Sequence, residues 1–154
     1  MNNHSFRLEL ASEGDFQRLF ELRLLTMRES LERIGRFDER RAFERFRNSF
    51  RPHHTRLIIL PDSSLGGCVA LGPSDDCLLL EHFYLLPALQ GNGLGSAVIE
   101  ILLAEADKQG LPVRLSVLQQ SDAGQFYARH GFAVTGEDEW DVYYERPASR
   151  RFFD

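Results

Sequence analysis

The sequence predicts a mixed α/β fold of the α+β kind, in the order β-α-α-β-β-β-α-β-α-β-β, with a mostly antiparallel sheet and one parallel step. Three observations carry this. Hydrophobic periodicity changes from helical to strand-like after Pro52 and back again after Gly93. Short polar turns separate three consecutive apolar runs between Leu57 and Leu86, the pattern of an antiparallel meander. A glycine-rich turn then feeds a helix, and the strand after that helix must return by a crossover, parallel to the strand before it.

Each element has a local reason. Phe6–Ala11 alternates Phe6, Leu8 and Leu10 with Arg7 and Glu9, as a half-buried strand does. Ser12 is a helix N-cap, and Glu13 and Asp15 place negative charge in the first turn. The helix that follows buries Phe16, Leu19, Phe20, Leu22 or the stem of Arg23, and Met27, and it ends by Gly35. A second helix starts at Asp38, with Phe43, Phe46 and Phe50 as an apolar stripe, and Pro52 stops it. Leu57–Leu60, Leu65–Leu71 and Cys77–Leu86 are the meander strands. Their connections are Pro61–Ser64 and Gly72–Asp76, both rich in turn residues. After the glycine turn, Leu94, Val98, Ile101 and Leu102 recur at helical spacing, and Gly110 and Pro112 end that helix. Val113–Leu118 is a strand, Ser121 to His130 a helix, and Phe132–Thr135 and Val142–Glu145 two last strands. Ala148–Asp154 reads as a tail.

At 154 residues the chain is expected to form one domain, 1–154, with its core between about residues 6 and 146. Hydrophobic content of 43% and charged content of 27% fit a soluble globular protein. No apolar run approaches a membrane span, and MNNHSFRLEL lacks the pattern of a signal peptide, so a cytoplasmic location is the expectation. Cys68 and Cys77 fall inside strands and are too few for a disulfide scaffold or a zinc site; both read as reduced core residues, and no metal is expected. Net charge is −5, unevenly spread. Residues 1–60 carry 12 Lys+Arg and 9 Asp+Glu, whereas residues 61–154 carry 6 and 14, so the later part would attract a cationic partner if its acidic side chains are more than solvated helix faces. The overall sign disfavours nucleic acid.

The stretch Gln90-Gly91-Asn92-Gly93-Leu94-Gly95 stands out. The first turn of a helix presents backbone N–H groups without intrahelical partners, and they carry partial positive charge. Glycines remove the Cβ atoms that would keep a ligand away. Strand, glycine turn and helix together make an anion cradle, best suited to phosphate.

At this point the sequence resembles the GNAT superfamily of acyl-CoA-dependent N-acetyltransferases. Gln90-Gly91-Asn92-Gly93-Leu94-Gly95 matches the family's Q/R-x-x-G-x-G/A signature, and the preceding strand with Leu85 and Pro87 is similar too. A second region also matches: Leu115-Ser116-Val117-Leu118, then Ala123, Phe126-Tyr127 and Gly131-Phe132. The order of elements agrees over nearly the whole chain. The resemblance implies a GNAT-like sheet in which the parallel pair splays, with acetyl-CoA as acyl donor and no metal. It implies that Gln90 and the amides of Gly91, Asn92, Gly93, Leu94, Gly95 and Ser96 hold the pyrophosphate of coenzyme A. Main-chain groups of Phe83, Tyr84 and Leu85 would align the pantetheine and the acetyl carbonyl, and the N–H near Leu85 would stabilise the oxyanion. Tyr127 matches the family tyrosine that protonates the departing thiolate, and a phenol is protonated at neutral pH. Where many members carry a pantetheine-binding Asn, this chain reads Gln119-Gln120-Ser121-Asp122; Gln120 or Ser121 takes the place, with Ser121 favoured. Where some carry Glu in the strand Val113–Leu118, this chain has Ser116.

Glu81 is the candidate for the amine's proton. It shares strand parity with Phe83 and Leu85, and a carboxylate inside an apolar strand is used or paired. The alternative is an ion pair with an arginine of the second helix. His82 points to the other face by parity, His130 suits the C-terminal dipole of its helix, and His53 and His54 beside Pro52 suit a surface turn. Tyr127 could instead be a core aromatic, although adjacent Phe126 and Tyr127 cannot both face one surface. For the acceptor, Arg28, Glu32, Arg36, Trp140, Tyr143 and Tyr144 are candidates. The aromatics, with Glu137, Asp138, Glu139 and Asp141, would receive a cation. The arginines would clamp a carboxylate. The expectation is therefore acetyl transfer to a primary amine, small molecule or peptide, by direct attack in a ternary complex. The competing reading is a non-catalytic acyl-CoA binding or sensing module. A dinucleotide oxidoreductase is disfavoured because hairpins precede the glycine motif and Leu118 is followed by Gln119 and Gln120 rather than a ribose-binding acid. Apolar edge strands near the C-terminus leave a homodimer open.

Overall fold

A computed structural model describes residues 5–33, 35 and 37–149. The order of elements is the expected one: β1 (Arg7–Leu10), α1 (Phe16–Arg33), α2 (Glu39–Ser49), β2 (Thr55–Ile59), β3 (Leu65–Ser74), β4 (Cys77–Leu85), α3 (Leu94–Gln109), β5 (Val113–Leu118), α4 (Ala123–Arg129), β6 (Ala133–Glu137) and β7 (Asp141–Arg146). Short 3₁₀ turns at Glu13–Asp15, Pro52–His54 and Pro87–Leu89 lead into α1, β2 and the glycine turn. The strands form one sheet in the order β1-β2-β3-β4-β5-β7-β6. Neighbours β1/β2, β2/β3, β5/β7 and β6/β7 run antiparallel, and β4 runs parallel to β5. The parallel ladder joins Leu78 to Val113 and Leu79 to Arg114, while β5 stays paired with β7 from Val113 to Leu118. A strand pair that splays is expected to have such a short ladder.

The chain groups into two compact units. One comprises the described residues up to Ala70 together with His82–Gly95. Its core is aromatic. Phe16 and Phe20 of α1 stack with Phe46 of α2 at 5.2 and 6.4 Å between ring centroids, and Phe50 packs against Phe46 at 5.4 Å. Ser12 and Asp15 form a capping box ahead of α1, and the Asp38 side chain accepts the Arg41 N–H at 3.1 Å, so both expected helix starts are found. The apolar stripe of α2 differs from the expected one. Ala42 and Phe46 are buried, whereas Phe43 is 39% exposed. Phe43 instead lays its ring edge-on to Phe16 and Phe20, covering them from the rim.

The other unit comprises Leu71–Glu81 and the described residues from Ser96 onward. Val98, Ile99, Leu102, Leu103 and Ala106 give α3 its buried face. Ile101, expected on that face, is 41% exposed, because the apolar stripe runs through 99, 102, 103 and 106 rather than through 101. The far end of α3 is tied to β7: both Arg146 Nη atoms donate to the buried Asp107 carboxylate, at 2.8 and 3.1 Å. Both cysteines are buried and free, as expected, and burial pushes the Cys68 thiol up to about 12.

β3 runs through Gly72 and Pro73, which were expected in the turn. The hairpin needs only Asp75 and Asp76, because Asp75 adopts a left-handed φ of 55° that a short polar side chain tolerates. α4 is shorter than expected, since the Ser121 Oγ accepts the Ala123 N–H at 3.1 Å and Gly131 turns the chain at φ 93°. His53 and His54 lie in the 3₁₀ turn, as read from the sequence. Arg36 lies outside the described residues, as does the tail beyond Ser149.

Candidate active site

The connection from β4 into α3 is built from backbone strain that glycine relieves. Gly91 and Gly93 have φ of 80° and 91°, the left-handed region that other residues reach at a cost. A Cβ at Gly91 would meet nothing within 4 Å, so the requirement there is conformational, and the space stays open. Two side chains shape the turn. Gln90 Nε2 donates to the Leu85 carbonyl at 3.0 Å, folding the turn back on the end of β4. Asn92 Oδ1 accepts the Leu94 N–H at 3.3 Å. Leu94, expected to offer its amide to phosphate, already has an internal acceptor in this structure. A hollow of about 370 Å³ lies beside the turn, lined among others by Leu60, Pro61, Leu89, Asn92 and Leu94.

Further back on β4, His82 has a left-handed φ of 51°. This interrupts the alternation between Glu81 and Phe83. The parity that put Glu81 on the same face as Phe83 and Leu85 therefore does not carry across His82, since alternation assumes an unbroken strand. After the kink the alternation is regular. His82 and Tyr84 share a face, and the His82 Nδ1 lies 3.0 Å from the Tyr84 hydroxyl. The His82 Nε2 lies 2.9 Å from Ser49 Oγ of α2, and its ring meets Phe46 edge-on at 4.8 Å. Burial, followed by the positive charge of Arg23, pushes the His82 imidazole down to about 4, so it is neutral at neutral pH. Arg23 of α1 donates through Nη1 to the Tyr84 hydroxyl.

Gly67 of β3 lets the β4 backbone pass close by at Tyr84. A Cβ on Gly67 would lie 2.2 Å from the Tyr84 carbonyl oxygen, and the neighbouring Gly66 accepts the Leu86 N–H at 2.9 Å. Gly67 admits the β4 backbone at a distance no side chain would permit.

In the second unit, Tyr127 of α4 is buried, with its ring 5.2 Å from Phe126 and 5.5 Å from Phe132. Phe126 is less buried, so the two adjacent aromatics do face differently. The His130 Nε2 lies 3.0 Å from Ser96 Oγ in the first turn of α3. His130 thus caps α4 with its backbone and engages α3 with its ring, and burial lowers its pKa. Ser121, favoured for the pantetheine, serves α4 as an acceptor; Gln120 before it is left-handed at φ 67°.

The acceptor candidates are mostly occupied with neighbours. In α1, Arg28 pairs with Glu32 at 3.1 Å and lays its guanidinium over the Phe37 ring at 4.6 Å. Among the second unit's acidic residues, Asp138 accepts the N–H groups of Trp140 and Asp141 at 2.9 and 2.8 Å and the hydroxyl of Tyr143. Those bonds hold its carboxyl below the usual range and organise the β6–β7 turn. Trp140 and Tyr143 are 37% and 38% exposed. The Tyr144 hydroxyl rests against Gly124, where a Cβ would lie 2.2 Å away. One residue that sequence reasoning treated only as packing is Arg23 of α1. Ser49 was not singled out at all.

Comparison with known proteins agrees with this architecture. A family model described as an acetyltransferase (GNAT) domain matches residues 26–141. No curated protein matches the chain in sequence. Among solved structures, the PaiA N-acetyltransferase of Thermoplasma acidophilum, crystallised in complex with coenzyme A, is 21% identical, with a TM-score of 0.75 over 93% of this chain and 99% of that one. A GNAT-family acetyltransferase from Staphylococcus aureus Mu50 is 13% identical, with a TM-score of 0.72 over 94% of this chain and 100% of that one. The ribosomal-protein-S18-alanine N-acetyltransferase of Escherichia coli is 16% identical, with a TM-score of 0.69 over 94% and 95%. These likenesses show the fold. The family match covers most of the chain: the protein belongs to the GNAT acetyltransferase family and is an acyltransferase.

Proposed function

We propose that this protein transfers an acetyl group from acetyl-CoA to an amine by direct attack within a ternary complex. The observation that carries the reading is the pair of left-handed glycines, Gly91 and Gly93, opening α3 in a chain of this family. Backbone amides of the Gly91–Ser96 turn would hold the coenzyme's pyrophosphate. The internal bond from Leu94 N–H to Asn92 Oδ1 is long enough to yield to a phosphate oxygen, a stronger acceptor than a neutral amide. The coenzyme A bound by the Thermoplasma relative supports the same ligand here.

The chemistry follows from the residue types. The neutral amine attacks the thioester carbonyl carbon, forming the C–N bond while the oxygen takes negative charge. The N–H near Leu85 would stabilise that oxyanion. Gln90, by holding the Leu85 carbonyl, would fix the orientation of that strand end. Collapse breaks the C–S bond, and the electron pair leaves on sulfur. Tyr127 would give the thiolate its proton, and Glu81, directly or through water, would take the proton lost by the amine. Exchange with solvent restores both. Main-chain groups of Phe83 and Tyr84 and the side chain of Ser121 or Gln120 would align the pantetheine, and no step requires a metal. Arg28, Glu32, Trp140 and Tyr143 would contact the acceptor. The test is turnover: coenzyme A thiol released from acetyl-CoA in the presence of a primary amine, matched mole for mole by N-acetylated amine. Coenzyme binding without thiol release over a broad amine panel would contradict the proposal.

A further inference from the structure

Arg23 differs from four other arginines in what it meets. Arg28, Arg47, Arg114 and Arg146 each meet a carboxylate. Arg23, half-buried in the middle of α1, meets none among the described residues. Its Nη1 donates to the Tyr84 hydroxyl, and its guanidinium carbon lies 6.0 Å from the Phe46 ring centroid and 5.9 Å from that of Tyr84. Its Nε is fully buried and has no hydrogen-bond partner. A guanidinium binds a carboxylate through a pair of parallel N–H groups, and here one edge carries a buried donor with nothing to meet it. The charges that act most on neighbouring His82 come from Arg23 and Arg51, both positive. A half-buried guanidinium with one buried, unpartnered N–H is costly to keep, and an anion supplied by a ligand would offset that cost.

We propose that Arg23 recognises a carboxylate on the acceptor, so that the substrate is an amine that also bears a carboxyl group; this rests on the acyl-transfer reading above. The position is apt. Arg23 holds Tyr84, whose chain neighbours Phe83 and Leu85 are assigned to the acyl group. Two aromatic rings fix the guanidinium's orientation, which suits a fork that must be presented in one geometry. The other acceptor clues weigh less. Arg28 is paired with Glu32, and Asp138 is engaged by its own turn, so neither the exposed arginine nor that acid is as well placed to select a substrate.

Two measurements test this. In the first, thiol release from acetyl-CoA is followed with free L-amino acids and with the same amino acids as α-carboxamides. The wild type should prefer the acids. Arg23→Lys should lower kcat/KM for the acids by on the order of 10- to 100-fold, mainly through KM, with little change for the amides. Equal use of acids and amides by the wild type, or an equal loss of both in the variant, would overturn the proposal. In the second, no turnover is needed. The Arg23 Nε–H resonance, assigned by through-bond experiments on the isotope-labelled wild type, should move on addition of N-acetyl-amino acids and stay in place with their carboxamides. A resonance that ignores the carboxylates would sink the proposal even if Arg23→Lys failed to fold. Absence of thiol release with every amine would count against acyl transfer instead, and the resonance would still decide the role of Arg23.

Discussion

Acidification should destabilise this protein through His82. The imidazole is held between Ser49, Tyr84 and Phe46, and its pKa falls from the ordinary 6.5 to about 4 because burial and the Arg23 charge oppose protonation. In the unfolded chain the ring takes its proton near its ordinary value. Between these values the unfolded state binds more protons than the folded one, so stability rises with pH across the window and falls as pH drops through it. The full separation corresponds to about 3 kcal/mol, and near pH 5 about 2 kcal/mol of it is already lost. The control is His82→Asn, because asparagine tolerates the left-handed φ of 51° that a bulky apolar residue would not, and it does not titrate. Urea unfolding of both proteins at a series of pH values isolates the effect as the difference between two curves. The difference should be flat above about pH 7 and should change by about 2 kcal/mol on reaching pH 5. Parallel curves across that window would mean that His82 takes up its proton equally in both states, and the buried network described here would be wrong.

Two further outcomes follow from the site. Tyr127→Phe removes one hydroxyl from a buried ring and should lower kcat by about 10²-fold or more, as loss of a general acid does, while acetyl-CoA affinity measured by calorimetry stays nearly unchanged. An unchanged kcat across the pH range would remove Tyr127 from the acid role. Gly67→Ala would put a methyl group 2.2 Å from the Tyr84 carbonyl and should cost at least about 3 kcal/mol in chemical denaturation; a cost below about 1 kcal/mol would show that β3 and β4 separate more easily than their geometry implies.

Local signals made much of the fold legible. Val113–Leu118 was bounded by Pro112 and by polar Gln119, and the observed strand has those limits. Asp38 announced α2 because a side-chain cap acts over three residues. The glycine turn was legible for the same reason, since left-handed backbone has a residue signature when glycine supplies it. What escaped depends on contacts between residues far apart in sequence, or on strain without a signature. His82 is left-handed without being glycine, so nothing in HFY warned that alternation breaks there. Arg23 and Tyr84 stand 61 residues apart, and only folding brings a helix cation to a strand phenol. The role of Gly67 depends on the Tyr84 carbonyl that approaches it from another strand.

The central claim is that the Gly91–Ser96 turn holds acetyl-CoA for transfer to an amine. The most direct measurement compares thiol release and N-acetylated product for the wild type and for Gly93→Asp, with acetyl-CoA affinity measured by calorimetry on both. Aspartate at a φ of 91° would disturb the turn and set a negative charge against the pyrophosphate. Equal amounts of thiol and acetylated amine from the wild type, with both turnover and coenzyme binding lost in the folded variant, is the predicted result. Normal coenzyme affinity in Gly93→Asp, or thiol-free binding by the wild type with every amine offered, would contradict it.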